Sequence, residues 1–87
     1  MEQELEVEGF LIHKDDGLII SISLGNQSVR LRQKVISNGR FCIPENTIGF
    51  VAHLRQPYTQ GWTSNVIEVQ WEEDFPSMNM KFKDLKF

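Results

Sequence analysis

Ile43-Pro-Glu-Asn-Thr-Ile-Gly-Phe-Val-Ala-His-Leu54, and after a polar loop Val66-Ile-Glu-Val-Gln-Trp-Glu72, is the stretch whose reading decides the fold. In its second half Ile67, Val69 and Trp71 alternate with Glu68, Gln70 and Glu72, the period of a strand with one dry face. The first half is ambiguous. Ile48, Val51 and Leu54 stand three apart, which suits a helix opened by Pro44 or capped by Asn46, and equally a bent strand. Gly49 and the run of Thr, Ile, Phe and Val favour extended structure, so a strand is expected from Thr47 to Leu54. A helix over residues 44–56 is the alternative and would give an OB-like barrel.

Between the two halves runs the longest loop, Arg55 to Asn65, holding Pro57 and Gly61 with Tyr58 and Trp62. Loops of this length in a small domain are frequent binding elements. Tyr58 and Trp62 either serve a partner or fold back over one end of the core.

Upstream, Leu5 and Val7 alternate with Glu4, Glu6 and Glu8, and Gly9 before Phe10-Leu11-Ile12 suggests a bulge in a strand reaching His13. Lys14-Asp15-Asp16-Gly17 and Gly25-Asn26 read as hairpin turns, with Leu18 to Leu24 a strand between them. A third strand is expected from Ser28 to about Ile36. It would place Arg30, Arg32 and Lys34 on one face and Val29, Leu31 and Val35 on the other. Asn38-Gly39 suggests a further hairpin into a short strand, Arg40 to Ile43, with Cys42 buried or half-buried in it. Downstream, Glu73 to Ser77 turns the chain, and Met78, Met80 and Phe82 oppose Asn79, Lys81 and Lys83.

At 87 residues the chain has room for one domain with a core of marginal size. We expect a hairpin over residues 1–27 added to a barrel over residues 28–87. One cysteine cannot form an internal disulfide, which favours a reducing compartment. No apolar run approaches the roughly 18 residues of a membrane span, and the acidic N-terminus is unlike a signal peptide. A cytoplasmic location is the expectation.

The net charge of −3 is unevenly spread: −5 over residues 1–27, +4 over 28–60 and −2 over 61–87. A basic middle between acidic flanks is either a directed face or ion pairing between neighbouring strands.

Thr47-Ile-Gly-Phe-Val-Ala-His-Leu54, Val66-Ile-Glu-Val-Gln-Trp-Glu72 and Met80-Lys-Phe-Lys-Asp-Leu-Lys-Phe87 together resemble small SH3-like barrels such as KOW-type domains and photosystem I reaction-centre subunit IV. Arg30-Leu-Arg-Gln-Lys-Val35 would be the opening barrel strand. The resemblance implies a barrel that docks onto larger proteins or RNA and is rarely catalytic by itself. It carries no specific functional residue with it.

Chemistry is sparsely signalled. His13, Cys42 and His53 are isolated and no Cys-x-x-Cys pair exists, a poor pattern for a metal, and Asp15-Asp16-Gly17 lacks the further oxygen ligands of a calcium loop. Only the two histidines could act as imidazole bases, and neither stands in an activating motif. No catalysis and no cofactor are expected. The sequence points instead to an all-β accessory or protein-interaction module that binds a larger protein or complex through Arg30, Arg32, Lys34, Arg55, Tyr58 and Trp62. The alternative partner is RNA or single-stranded nucleic acid, its phosphates on the cations and its bases on the aromatic rings.

Overall fold

The computed structural model describes residues 2–58 and 65–87, and the chain is all-β. Among the described residues nine strands form two antiparallel sheets. The first is a meander of β1 (Glu2–Val7), β2 (Phe10–Asp15), β3 (Leu18–Leu24) and β4 (Gln27–Arg30). The second comprises β5 (Lys34–Ser37), β6 (Ile48–Leu54), β7 (Ile67–Trp71), β8 (Met78–Met80) and β9 (Leu85–Lys86), in the order β8-β7-β6-β5-β9, and curls into a half-barrel.

The turns of the first sheet follow from local chemistry. Asp16 and Gly17 take φ of 50° and 81°, and Gly25 takes 59° at the head of the β3–β4 turn, all in the region that tight hairpins demand. Residues 5–13 do not form one bulged strand, however. Glu8 and Gly9, with φ of 53° and 87°, make a two-residue turn that pairs Val7 with Phe10 and creates a separate strand β1. The N-terminal element is therefore a four-stranded meander that takes in β4, and not a hairpin ending at residue 27.

The strand expected from Ser28 to Ile36 is broken as well. Arg32 adopts φ of 71°, a left-handed conformation that costs a non-glycine residue energy. The Leu31 N–H still bonds to Ile20 of β3 (2.9 Å). The Arg32 N–H already bonds to the Val51 carbonyl of β6 (2.8 Å), and the Val51 N–H donates to Gln33 O (2.9 Å). Within three residues the chain leaves one sheet and joins the other.

Residues Thr47 to Leu54 settle as strand, with no helix over 44–56. The pairing of β6 with β7 slips between Val51 and His53, leaving Ala52 as an extra residue. This bulge accounts for the three-residue step from Val51 to Leu54, while Ile48 lies on the outer side with Phe50. Gly49, Val51 and Leu54 face inward, and Phe50 and His53 face outward.

The expected short strand from Arg40 to Ile43 is absent. Phe41 and Cys42 take φ of 58° and 65° in succession, reversing the chain so that both are exposed and only Ile43 enters the core. Cys42 thus lies at the surface. Ser37, fully buried, organises this loop: its hydroxyl donates to Ile43 O (3.2 Å) and accepts the Gly39 N–H (3.1 Å).

One hydrophobic cluster lies between the sheets, built from Phe10, Ile12, Ile22 and Val29 on one side and Val35, Val51, Ile67, Val69 and Met80 on the other. A 3-10 turn, Phe82–Asp84, plugs an end. The Phe82 ring stacks on Phe10 with centroids 6.1 Å apart, and the Asp84 carboxylate accepts the Lys81 N–H (3.0 Å).

Gly49 sits opposite Trp71, which is 5% exposed. A Cβ there would stand 2.7 Å from both the indole Cε3 and Val69 Cγ1, too close for either to remain in place. Gly49→Ala is therefore expected to destabilise the chain by about 1–3 kcal/mol, the usual cost of overpacking. Urea denaturation followed by circular dichroism measures this, and an unchanged midpoint would show that the indole does not close over Gly49.

Candidate functional site

The outer face of the second sheet gathers the residues best placed to meet a partner. Directly paired residues on antiparallel strands project to the same side. Lys34 pairs with Phe50 and Phe50 with Gln70, so these three form one row across β5, β6 and β7. His53 pairs with Glu68 and Glu68 with Asn79, forming a second row across β6, β7 and β8. Glu68 and Gln70 are two apart on β7, so both rows share a face.

The Ala52 bulge allows this arrangement. Strict alternation would send Ala52 outward and His53 into the core; the extra residue turns the imidazole out toward Glu68. Ala52 becomes part of the lining of an open groove of about 390 Å³, shared with Arg32, Phe50, Val51, His53 and Gln70. Phe50 is 42% exposed, unusual for so large an apolar side chain on a central strand.

The second row is locked by hydrogen bonds. Glu68 accepts from His53 Nδ1 (3.0 Å) through one carboxylate oxygen and from the Arg55 guanidinium through the other. The carboxylate can only accept, so Nδ1 carries the proton. Arg55 also donates from Nε to Asn79 Oδ1 (3.0 Å), and its N–H reaches Val66 O (2.8 Å). The cation expected to be a free loop residue is thus a strut that joins the ends of β6, β7 and β8. By contrast, Arg32 and Lys34 have no ion-pair partner among the described residues.

The six residues singled out from the sequence do not share one surface. Arg32 and Lys34 lie at the groove and beside Phe50, and Arg55 a row away. Arg30 belongs to the first sheet, opposite Ser21, in a row with His13 and Glu4. It lines a separate cavity of about 150 Å³ with Glu2, His13, Ile20 and Ser21. The left-handed turn at Arg32 is the physical reason for this correction. Tyr58 follows β6 and is 70% exposed, so it does not cover the core. Trp62 falls at residues 59–64, outside the described residues.

Phe50, His53, Glu68 and Gln70 were not foreseen as site residues. Phe50 could have been found, because an aromatic between inward Gly49 and Val51 must face out. His53 could not, since its direction depends on a bulge with no glycine to mark it.

Both histidines rest on glutamates, His13 Nε2 at 3.4 Å from Glu4 and His53 on Glu68. Among the described residues no group of three or more His, Cys, Asp or Glu could hold a metal ion, and no helix is long and apolar enough to cross a membrane. No protein-family model matches the chain, and neither a curated protein nor a solved structure shows significant similarity to it.

The His53 hydrogen bond first, and then that of Arg55, hold the Glu68 carboxyl below the ordinary carboxylate value of 4.5. A carboxylate depressed in the folded state contributes stability above its unfolded pKa and loses it as pH falls through the folded value. The stability advantage of wild type over Glu68→Gln is accordingly expected near neutral pH and is expected to shrink as pH falls below the ordinary carboxylate value of 4.5. Urea midpoints of both proteins across that range provide the measurement. An advantage that persists unchanged into acid would contradict the assignment.

Proposed function

We propose that this chain is a non-catalytic interaction module that docks onto a larger cytoplasmic protein assembly through the outer face of its second sheet. The observation that carries this reading is Phe50, a half-exposed aromatic at the centre of the sheet, with a groove beside it and two cations around it that have no ion-pair partner among the described residues. Aromatic and arginine side chains in such settings dominate binding energy at protein interfaces. The curled five-stranded sheet supports kinship with SH3-like barrels, whose members commonly work by docking.

Nucleic acid is the second reading, favoured by the same ring standing next to Arg32 and Lys34. It is weakened because Arg30 lies on the other sheet and Arg55 is bound to Glu68, which leaves two cations where a phosphate track needs a longer series.

Affinity purification with the tagged full chain tests the docking reading. Wild type is expected to recover a discrete protein that Phe50→Ala loses at least about fivefold, with circular dichroism and thermal midpoint unaltered, as befits an exposed site. Equal recovery by the variant would remove this face from the account. For nucleic acid, a labelled single-stranded oligonucleotide at about 50 mM salt suffices. No binding there eliminates that reading, and binding that collapses steeply with added salt would favour it over docking.

A further inference from the structure

We propose that the groove beside Phe50 takes an extended acidic peptide, with one apolar side chain seated over Ala52 against the Phe50 ring and flanking carboxylates on Arg32 and Lys34. The proposal rests on the docking reading and adds the chemistry of the partner. Its first support is the groove's composition. Ala52 and the Phe50 ring are apolar, Arg32, His53 and Gln70 supply polar groups, and the side chain of Val51 is turned to the core beneath. About 390 Å³ accommodates one large aliphatic or aromatic side chain with the backbone on either side of it.

Charge supplies the second support. Of the five basic groups that the described residues place on this face, His53 and Arg55 are both engaged by Glu68, and Lys86 by Glu45. Arg32 and Lys34 are left to attract an anion, and they lie on the same side of Phe50, toward β5. Opposite them, across β6, stands the exposed Gln70 amide, which can both donate to and accept from a peptide backbone. A peptide laid over β6 would thus find cations along one flank and an amide along the other.

The third support is that the groove is built into the backbone. The Ala52 bulge turns His53 outward, and the left-handed turn at Arg32 brings that side chain to β6. Neither depends on a loop changing shape, so little ordering cost attends binding.

Two other occupants fit less well. A polynucleotide would find, among the described residues of this face, only Arg32 and Lys34 without an ion-pair partner. A second copy would have to offer Glu72-Glu73-Asp74-Phe75, whose Phe75 is half-buried and packs against the core, or the acidic edge strand β1, whose Leu5 projects to the same side as buried Ile12 of β2 and so away from the outer face of its sheet.

The test uses the full chain and fluorescence anisotropy with a labelled peptide, Asp-Glu-Asp-Leu-Asp-Glu-Asp. Controls are the same peptide with Gly for Leu, its Asn/Gln counterpart, and an oligothymidylate. The acidic peptide with Leu is expected to bind at least about tenfold more tightly than each control, and to weaken severalfold as salt rises from about 50 to 500 mM. Arg32→Asn, which keeps a residue tolerant of the left-handed conformation, and Phe50→Ala should each reduce affinity about tenfold or more. Arg30→Asn, on the other sheet, should leave it unchanged.

Deletion of Ala52 provides a further variant. Removing it leaves Gly49, Val51 and Leu54 inward and Phe50 and His53 outward, so the strand pattern survives while the groove floor is lost. A deletion variant with native circular dichroism and no peptide binding supports the proposal; one with native binding overturns it. Equal binding of the Asn/Gln peptide, equal loss in Arg30→Asn, tighter binding of the oligothymidylate, or self-association abolished by Arg32→Asn would also overturn it. If the purified partner still depends on Phe50 but the acidic peptide does not bind, this proposal fails and the docking reading stands. If neither holds, both fail.

Discussion

Two backbone hydrogen bonds, from the Arg32 N–H to Val51 O and from the Val51 N–H to Gln33 O, carry the chain from one sheet to the other. Without them β4 and β5 would be one strand, and both sheets would lie in one continuous layer with no second face to close over their apolar side chains. With them, Phe10, Ile12, Ile22 and Val29 meet Val35, Val51 and Val69 across a common interior. Burying each such side chain stabilises by roughly 1.5–3 kcal/mol, which in sum far exceeds the strain of one left-handed arginine. The same bonds hold Arg32 against β6, where it borders the Phe50 groove.

The edges of the structure are treated differently from its centre. At the end of β4 the Arg30 N–H is taken by the Gln33 side chain (3.0 Å) and its carbonyl by the Gln33 N–H (3.1 Å), so the strand closes on itself before it can recruit another. Strand β1 is exposed along most of its length and carries Glu2, Glu4 and Glu6. Like charges brought together by edge-to-edge pairing of two such strands would repel, an ordinary defence against aggregation. Among the described residues the outer face of the second sheet has no comparable defence: its central aromatic is half-exposed, and two of the cations around it have no ion-pair partner.

Much of this was legible in the sequence because the signals were local. Asp16-Gly17 and Gly25-Asn26 are turns whose residues tolerate the required φ, and Ile67 to Trp71 alternates cleanly. What could not be read were the points where a residue without a warning label departs from the regular path. Glu8 and Arg32 adopt positive φ, and so do Phe41 and Cys42, none of them a type that favours it. All four stand where regular strand is expected; Glu8 and Arg32 instead each follow the last residues of a strand, and Phe41 and Cys42 lie in a loop that contains none. Ala52 adds a residue to β6 without glycine or proline, which is why Val51 and Leu54, three apart, both face the core.

The candidate site shows the same division. Arg32 and Lys34 could be singled out from charge alone, but grouping them with Arg30 assumed an unbroken strand that tertiary bonding overrides. Arg55 was visible as a cation in a long loop, while its capture by Glu68 and Asn79 depends on a register that the sequence does not state. The central claim is the sheet change at residues 31–33, because it sets both the core and the separation of Arg30 from Arg32. A nitrogen-edited NOESY spectrum of the assigned chain tests it most directly. The account predicts contacts from Leu31 to Ile20 and, immediately afterwards, from Arg32 and Gln33 to Val51, whereas contacts running unbroken from residue 28 to 36 along one neighbouring strand would contradict it.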